Sequence, residues 1–325
     1  MNERAALILN PTAAAGRAGR EVAQVVAQVR NALGHEVSLM TTESSGHATE
    51  LARRAVLDGY TRVFSLGGDG THGQVANGLM SARQHGLPVL TPLPFGTGGD
   101  FSRLMDGPRT LQNALALING PVALIDAGEC ELVGIRGTKE TVGFLNIASF
   151  GLAGMVDRLV NASRKRFGGK AAFASASIRA FLRYRPPNVT IRCDGHIMFE
   201  GRLSNVAVAN GRFFGGGMMI APDALLNDGM FDVTAIAHSS LIQSLPVLAR
   251  TYGGTHIGHP LVSSARGSVV QLDVHDRHAW ADIDGEPLGE GPVTVRVLPG
   301  VLRVTGISPT MLSHGQCSSG TAPHG

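Results

Sequence analysis

Cysteine is scarce in this chain of 325 residues: Cys130, Cys193 and Cys317 are widely spaced and odd in number. That excludes a disulfide framework and a zinc pattern, and it fits a reducing cytosol. Long apolar runs are also missing. No uncharged stretch of about 18 apolar residues offers a membrane span, and Met1-Asn2-Glu3-Arg4 passes directly into the strand-like Ala5 to Leu9, where no signal peptide fits. Charge of one sign is lacking too, since 28 basic residues against 25 acidic ones leave a net charge of only +3 and no argument for a nucleic-acid partner. What the chain does hold is glycine. Its 43 glycines, with 43% hydrophobic and 16% charged residues, describe a globular protein whose loops hold ligands by backbone contacts.

The length suits two domains, on a prior of roughly 100–200 residues each. In residues 1–125, strand-like runs at Ala5 to Asn10, Glu36 to Met40, Arg62 to Leu66 and Leu87 to Leu90 alternate with helical patterns at Arg17 to Leu33, His47 to Asp58 and Thr71 to His85. This spacing predicts βαβ units on a parallel sheet with ligands at the carboxyl ends of the strands. Residues 126–300 read differently. Short strands at Gly143 to Ala148, Val189 to Cys193, Leu203 to Ala209, Met230 to Ile236, Val269 to Val274 and Val293 to Val297, broken by Gly, Pro and Asp turns, predict an antiparallel β-sandwich. A helical insertion is expected over 155–184, a strand returning to the first domain over 301–308, and a polar, disordered tail over 309–325.

Chemistry concentrates in the turns. The run Gly67-Gly68-Asp69-Gly70-Thr71 follows a strand and opens a helix, the outline of a phosphate site in which glycines admit the anion and the helix N-terminus attracts it. Asp69 would repel a bare phosphate, so it suggests a bridging Mg²⁺ or a proton acceptor beside a nucleotide. Asn10-Pro11-Thr12 through Gly16 closes the first strand, and Pro94-Phe95-Gly96-Thr97-Gly98-Gly99-Asp100 the fourth. Downstream lie Asn210-Gly211-Arg212-Phe213-Phe214-Gly215-Gly216-Gly217, the segment Ala221 to Val233 containing Asn227-Asp228-Gly229, and Asp284-Gly285-Glu286. Taken alone, Asp284-Gly285 reads equally as a type I′ hairpin turn and Asp228-Gly229 as a turn. His47, His72 and His256 read as surface or packing residues. No Walker A sequence and no protein-kinase motif set occurs, which leaves the Gly67 to Thr71 loop as the phosphate cradle.

These motifs, in this order over roughly residues 4 to 307, resemble the diacylglycerol kinase catalytic-domain family, whose core is shared with NAD kinases. The resemblance implies a two-domain architecture, an α/β nucleotide-binding domain plus an all-β sandwich domain, with ATP in the cleft. It places the nucleotide on Asn10, Pro11, Gly16, Thr42, Gly67, Gly68, Asp69, Gly70, Thr71 and Thr97. It implies a structural Mg²⁺ on the Asp228 carboxylate and the carbonyls of Leu225 and Met230, and it offers Glu286 or Asp69 as the catalytic base. An alcohol attacks a γ-phosphoryl only when a carboxylate takes its proton, and Asp69, Asp284 and Glu286 are the carboxylates embedded in turns.

Two positions depart from the family pattern: Gln74 stands where a glutamate is usual, and Gly99 where an asparagine is common. Neither removes a proposed catalytic carboxylate. Basic residues between Arg158 and Arg185, among them Lys165 and Lys170, alternate with apolar ones at helical spacing, which suits an anionic membrane surface or a solvated face equally. The expectation is an ATP-dependent lipid kinase acting on a lipid such as diacylglycerol or a sphingoid base. It would be cytoplasmic and peripheral at the inner face of the membrane, with a homodimer left open. The alternatives are a kinase of a soluble alcohol and a catalytically impaired nucleotide- or membrane-binding module.

Overall fold

The structure is a computed structural model and describes residues 3–14, 16–95, 99–135, 137–155, 184–276 and 278–313. Strand β1 (Ala5–Leu9) is apolar along its whole length and fully buried, as a central parallel strand must be. It pairs in parallel with β2 (Val37–Thr41) and β3 (Arg62–Gly67), and β3 pairs in parallel with β4 (Val89–Pro94). Helix α1 (Arg17–Leu33) covers one face with Ala18, Val25, Val26 and Val29 and ends at Gly34, whose φ of 75° lets its N–H return to the Arg30 carbonyl. Helix α2 (His47–Leu57) covers the other with Ala48, Ala52, Ala55 and Val56. Helix α3 (Asp69–Ser81) is buried on nearly every side. A side chain at Gly78 would collide with the Thr49 carbonyl of α2, so glycine there is what lets the two helices touch.

After helix α4 (Leu111–Ala116), the chain enters antiparallel strands β5 (Val122–Gly134), β6 (Lys139–Phe144), β7 (Ile147–Gly151), β8 (Asn188–Cys193) and β9 (His196–Ala209). A small hairpin follows, β10 (Phe213–Phe214) with β11 (Met218–Met219), then β12 (Phe231–Ala237), helix α5 (Leu241–Thr251), β13 (Val262–Gly267), β14 (Val269–Val274), β15 (Trp280–Ile283) and β16 (Glu286–Thr305). The sandwich core holds Phe144, Phe150 and Phe231, with the Phe144 and Phe231 rings stacked at 5.7 Å.

One strand joins both halves. β16 begins in the sandwich against β15, β14 and β5, and its far end, Arg303 and Val304, pairs in parallel with β4. The return expected over 301–308 is therefore the last part of a single strand, and β5 runs beside it through both regions. The expected strand Gly143 to Ala148 is two strands, broken at Leu145 and Asn146, whose N–H groups turn to a side chain described below. Most of the expected insertion, Lys165 and Lys170 included, lies outside the described residues. The tail expected to be disordered from residue 309 begins with structure: Pro309–Met311 forms a 3-10 turn, and Leu226 N–H donates to the Met311 carbonyl at 2.9 Å. Among the described residues no helix is long and apolar enough to cross a membrane.

Candidate active site

Strand β3 delivers the glycine loop. Gly67 ends the strand, Gly68 stays extended and α3 begins at Asp69, leaving the helix's first N–H groups without intrahelical partners. Any side chain at Gly67 would collide with Thr71, whose hydroxyl accepts Asn10 Nδ2 at 3.4 Å. Asn10 Oδ1 in turn accepts the N–H of Thr12 at 3.0 Å and its hydroxyl at 2.8 Å, so the first and third strand ends are linked. Gly19 N–H reaches the Pro11 carbonyl at 3.3 Å, Gly16 caps α1 in the left-handed region, and Thr42 N–H meets the Leu9 carbonyl at 2.9 Å. Asn10, Pro11, Gly16, Thr42 and Gly67 to Thr71 thus share the carboxyl edge of the parallel sheet. Thr97 lies outside the described residues. Beside the loop is a cavity of about 510 Å³ lined by Arg17, Gly67, Gly68, His72, Phe95 and Arg109, among others.

Asp69 is not exposed to this cavity as a bare anion. Its carboxylate accepts the backbone N–H of Asp100 at 3.0 Å and of Phe101 at 3.1 Å, which ties the glycine loop to the segment after β4. Asp100 is buried and accepts Gly216 N–H at 2.8 Å, so the β10–β11 hairpin hangs from the same chain of contacts. Burial pushes the Asp100 carboxyl above the usual range, with the Gly216 N–H opposing it. His72 was read as a packing residue, and it is buried, with Nδ1 2.7 Å from Ser65 Oγ. Burial drives its pKa down to about 4 against the pull of Asp69, so the ring is neutral at pH 7. Among the described residues its Nε2 has no hydrogen-bond partner although the residue lines the cavity, which makes it a candidate ligand contact that spacing alone does not reveal.

The other wall comes from the far end of the chain. Asp284 and Gly285 form the two-residue loop of the β15–β16 hairpin, with φ of 51° and 84°, the type I′ geometry. The turn also has a function in packing. Asp284 accepts the N–H groups of Leu145 at 2.6 Å, Asn146 at 2.9 Å and Ile147 at 3.0 Å, which is why the chain breaks between β6 and β7 there. Burial pushes this carboxyl up to about 7, and the three N–H groups hold it down. Gly73 on α3 is required because a Cβ would sit 2.6 Å from Asp284 Oδ2. Glu286, next on the hairpin, lies over the first turn of α3: its Oε1 accepts Gln74 Nε2 at 3.2 Å and is 3.0 Å from where a Cβ on Gly70 would stand. Gln74 therefore touches the predicted base directly.

The expected magnesium site at Leu225, Asp228 and Met230 is arranged otherwise. Asp228 Oδ1 accepts Met230 N–H at 3.1 Å, closing the turn at Gly229, and Oδ2 pairs with the Arg266 guanidinium. Arg266 stands opposite Asp232 in the β12–β13 ladder and reaches that carboxylate at 3.4 Å. Asp126, buried beneath, accepts Gly229 N–H at 2.7 Å and Gly300 N–H at 2.8 Å. A guanidinium thus faces the carboxylate that the metal was expected to bind, one positive charge between two carboxylates. Among the described residues no group of three or more His, Cys, Asp or Glu side chains forms a metal site. To bind the expected ion beside the Leu225 and Met230 carbonyls, the Asp228 carboxylate would have to leave Arg266.

Comparison with known proteins bears on the whole chain. Residues 4–130 match the diacylglycerol kinase catalytic domain family, and residues 146–306 match the YegS C-terminal NAD kinase beta sandwich-like domain family. The diacylglycerol kinase of Bacillus subtilis is 31% identical over 286 residues, 87% of this chain and 90% of that protein. A Pseudomonas fluorescens protein named a probable YegS-like lipid kinase is 31% identical over 305 residues, 94% of this chain and 96% of its own length. In fold, the crystal structure of a diacylglycerol kinase from Bacillus anthracis superposes with a TM-score of 0.68 at 20% identity, covering 95% of this chain and 98% of that one. An NAD kinase from Archaeoglobus fulgidus in complex with ATP gives 0.50 at 14% identity, covering 95% of each chain.

Proposed function

The chain belongs to the diacylglycerol kinase catalytic-domain family, and from that premise we propose that it transfers the γ-phosphoryl group of MgATP to the hydroxyl of a membrane lipid such as diacylglycerol or a sphingoid base. The observation that carries this reading is the meeting of Glu286 with the Gly67 to Thr71 loop across the first turn of α3. Phosphates rest on the open N–H groups of that turn, with Arg17 and Arg109 lining the adjoining cavity as counter-charges. The acceptor hydroxyl approaches from the side of the β15–β16 hairpin and gives its proton to Glu286 as the oxygen attacks phosphorus and the bond to the departing ADP breaks.

Glu286 is the better base for a geometric reason. Asp69 has both carboxylate oxygens engaged by backbone N–H groups that cannot move without opening the loop, whereas the contacts of Glu286 include a side-chain amide that can turn with it. Asp69 then acts by fixing the loop. Magnesium enters as part of the nucleotide substrate, and no step passes through the Asp228 cluster. We place the enzyme in the cytoplasm, working at the inner face of the membrane. The test is a screen of dispersed diacylglycerols, sphingoid bases and NAD with γ-labelled ATP, read by mass spectrometry. A labelled phospholipid is expected, and labelled NADP with no labelled lipid would overturn the assignment.

A further inference from the structure

Helix α5 turns an apolar side to solvent. Ile242 is 83% exposed, Leu245 54%, Leu248 49% and Tyr252 57%, while Val247 and Thr251 are buried. At about 100° per residue the four exposed side chains fall within one third of the helix circumference, and the two buried ones lie on the other side. Single exposed leucines are ordinary; a row along one 11-residue helix and its cap is not. The helix survives Pro246 in its interior, and its start is fixed by Ser240 N–H donating to Gln243 Oε1 at 3.4 Å.

The stretch that carries this row is charged with one sign only. From Val233 to Leu272 the sequence contains no aspartate or glutamate. Arg250 is exposed on the helix itself, and exposed Arg202 lies beside its start, where the Arg202 carbonyl accepts His238 N–H at 2.8 Å. Just past the helix end, a Cβ on Gly254 would be 2.9 Å from Met219 Sδ, so the turn after α5 packs on the β10–β11 hairpin that carries Gly216, the partner of Asp100.

We propose that α5 is an interfacial helix that seats the enzyme on an anionic lipid bilayer, its apolar row entering the acyl boundary and Arg202 and Arg250 facing lipid phosphates. A second copy of this chain is the weaker occupant, because a two-fold contact through the same patch brings the arginines of both copies together with no acid of their own stretch to pair them. The proposal gives the lipid-kinase reading its docking surface and rests on that reading for its purpose.

The experiment is cosedimentation of the full chain with phosphatidylglycerol–phosphatidylcholine vesicles and with phosphatidylcholine alone, alongside phosphorylation of a detergent-dispersed lipid. Wild type should bind the anionic vesicles preferentially. The double substitution Ile242→Asn with Leu245→Asn should weaken that binding by about tenfold or more while melting as wild type does. Arg250→Gln, which leaves the apolar row intact, should weaken it about fivefold. Equal vesicle binding by the double variant overturns the proposal. So does a wild type that ignores vesicles and self-associates in sedimentation, with the double variant monomeric, which assigns the face to a second copy. Vesicle binding through α5 with no lipid phosphorylated defeats the kinase reading alone, and phosphorylation of dispersed lipid without vesicle binding defeats the docking surface alone.

Discussion

Two Asp-Gly turns in the sandwich look alike in sequence and behave differently. At Asp284-Gly285 the carboxylate faces three backbone N–H groups, and among the described residues no guanidinium is bonded to it. At Asp228-Gly229 the carboxylate faces one N–H and the Arg266 guanidinium. The first arrangement anchors a hairpin and leaves the neighbouring Glu286 over the Gly67 to Thr71 loop. The second sets one guanidinium between the Asp228 and Asp232 carboxylates, so a cation entering there competes with Arg266. What distinguishes them is the adjacent strand, since β13 presents an arginine in register with Asp232 and β7 presents no charge at all.

The largest effect is expected from Glu286→Gln, which should lower kcat at least about 10²-fold, or about 2.7 kcal/mol of barrier, with an unchanged melting curve. A wild-type rate removes Glu286 from the mechanism and with it the contrast between the turns. Next comes Asp69→Asn. An amide can accept only one of the two backbone N–H groups and turns its own NH₂ toward the other, so stability should fall by about 1–3 kcal/mol together with activity. Loss of activity at full stability would return the base to Asp69.

A smaller effect is expected at the second turn. Arg266→Ala should cost about 1 kcal/mol, because the guanidinium is about half exposed and solvent screens the pair. Burial already pushes the Asp232 carboxyl up, and removing Arg266 pushes it further. A carboxyl raised in the folded state contributes stability that is present below its unfolded pKa and lost as pH rises through the folded one. The deficit of the variant should therefore be full at neutral pH and shrink as pH falls into the carboxylate range. The same variant should gain stability on adding Mg²⁺, which wild type does not. A magnesium-stabilised wild type would show that the cluster binds metal despite Arg266.

Much of this was legible in local sequence. The helix Arg17–Leu33 and the strand Val269–Val274 carry their own periodicity and stops, and the Gly67 to Thr71 loop announces itself by composition. Long-range pairing was not legible. Gln74 meets Glu286 across 212 residues and Asp228 meets Arg266 across 38, and neither spacing leaves a trace in a window of sequence. Strand β16 was read only as short pieces because Gly289, Gly291, Pro292, Pro299 and Gly300 interrupt it, although β5 pairs with it on both sides of those breaks. Helix α5 is not legible in the sequence because Pro246 interrupts the pattern and its apolar residues face outward, the reverse of what a core-facing helix shows.

The smallest predicted effect tests the wall of the site most finely. Gln74→Glu replaces an amide that donates to Glu286 Oε1 at 3.2 Å with a second carboxylate at the same place. Two carboxylates that close cannot both ionise freely, so the pair holds a proton to higher pH than Glu286 does beside an amide. On the acid limb the base is then protonated over a wider range, and kcat/KM should fall off at a higher pH. On the plateau the opposing terms nearly cancel: the more basic carboxylate takes a proton more readily, while added negative charge near the phosphate loop repels the nucleotide. The change in plateau kcat should stay below about tenfold, or about 1.4 kcal/mol, with the acceptor preference unchanged. A pH profile that does not move would mean that the Gln74 contact has no hold on the base. A gain of orders of magnitude would mean that the amide impairs the natural chain, leaving the nucleotide- and membrane-binding module as the better description.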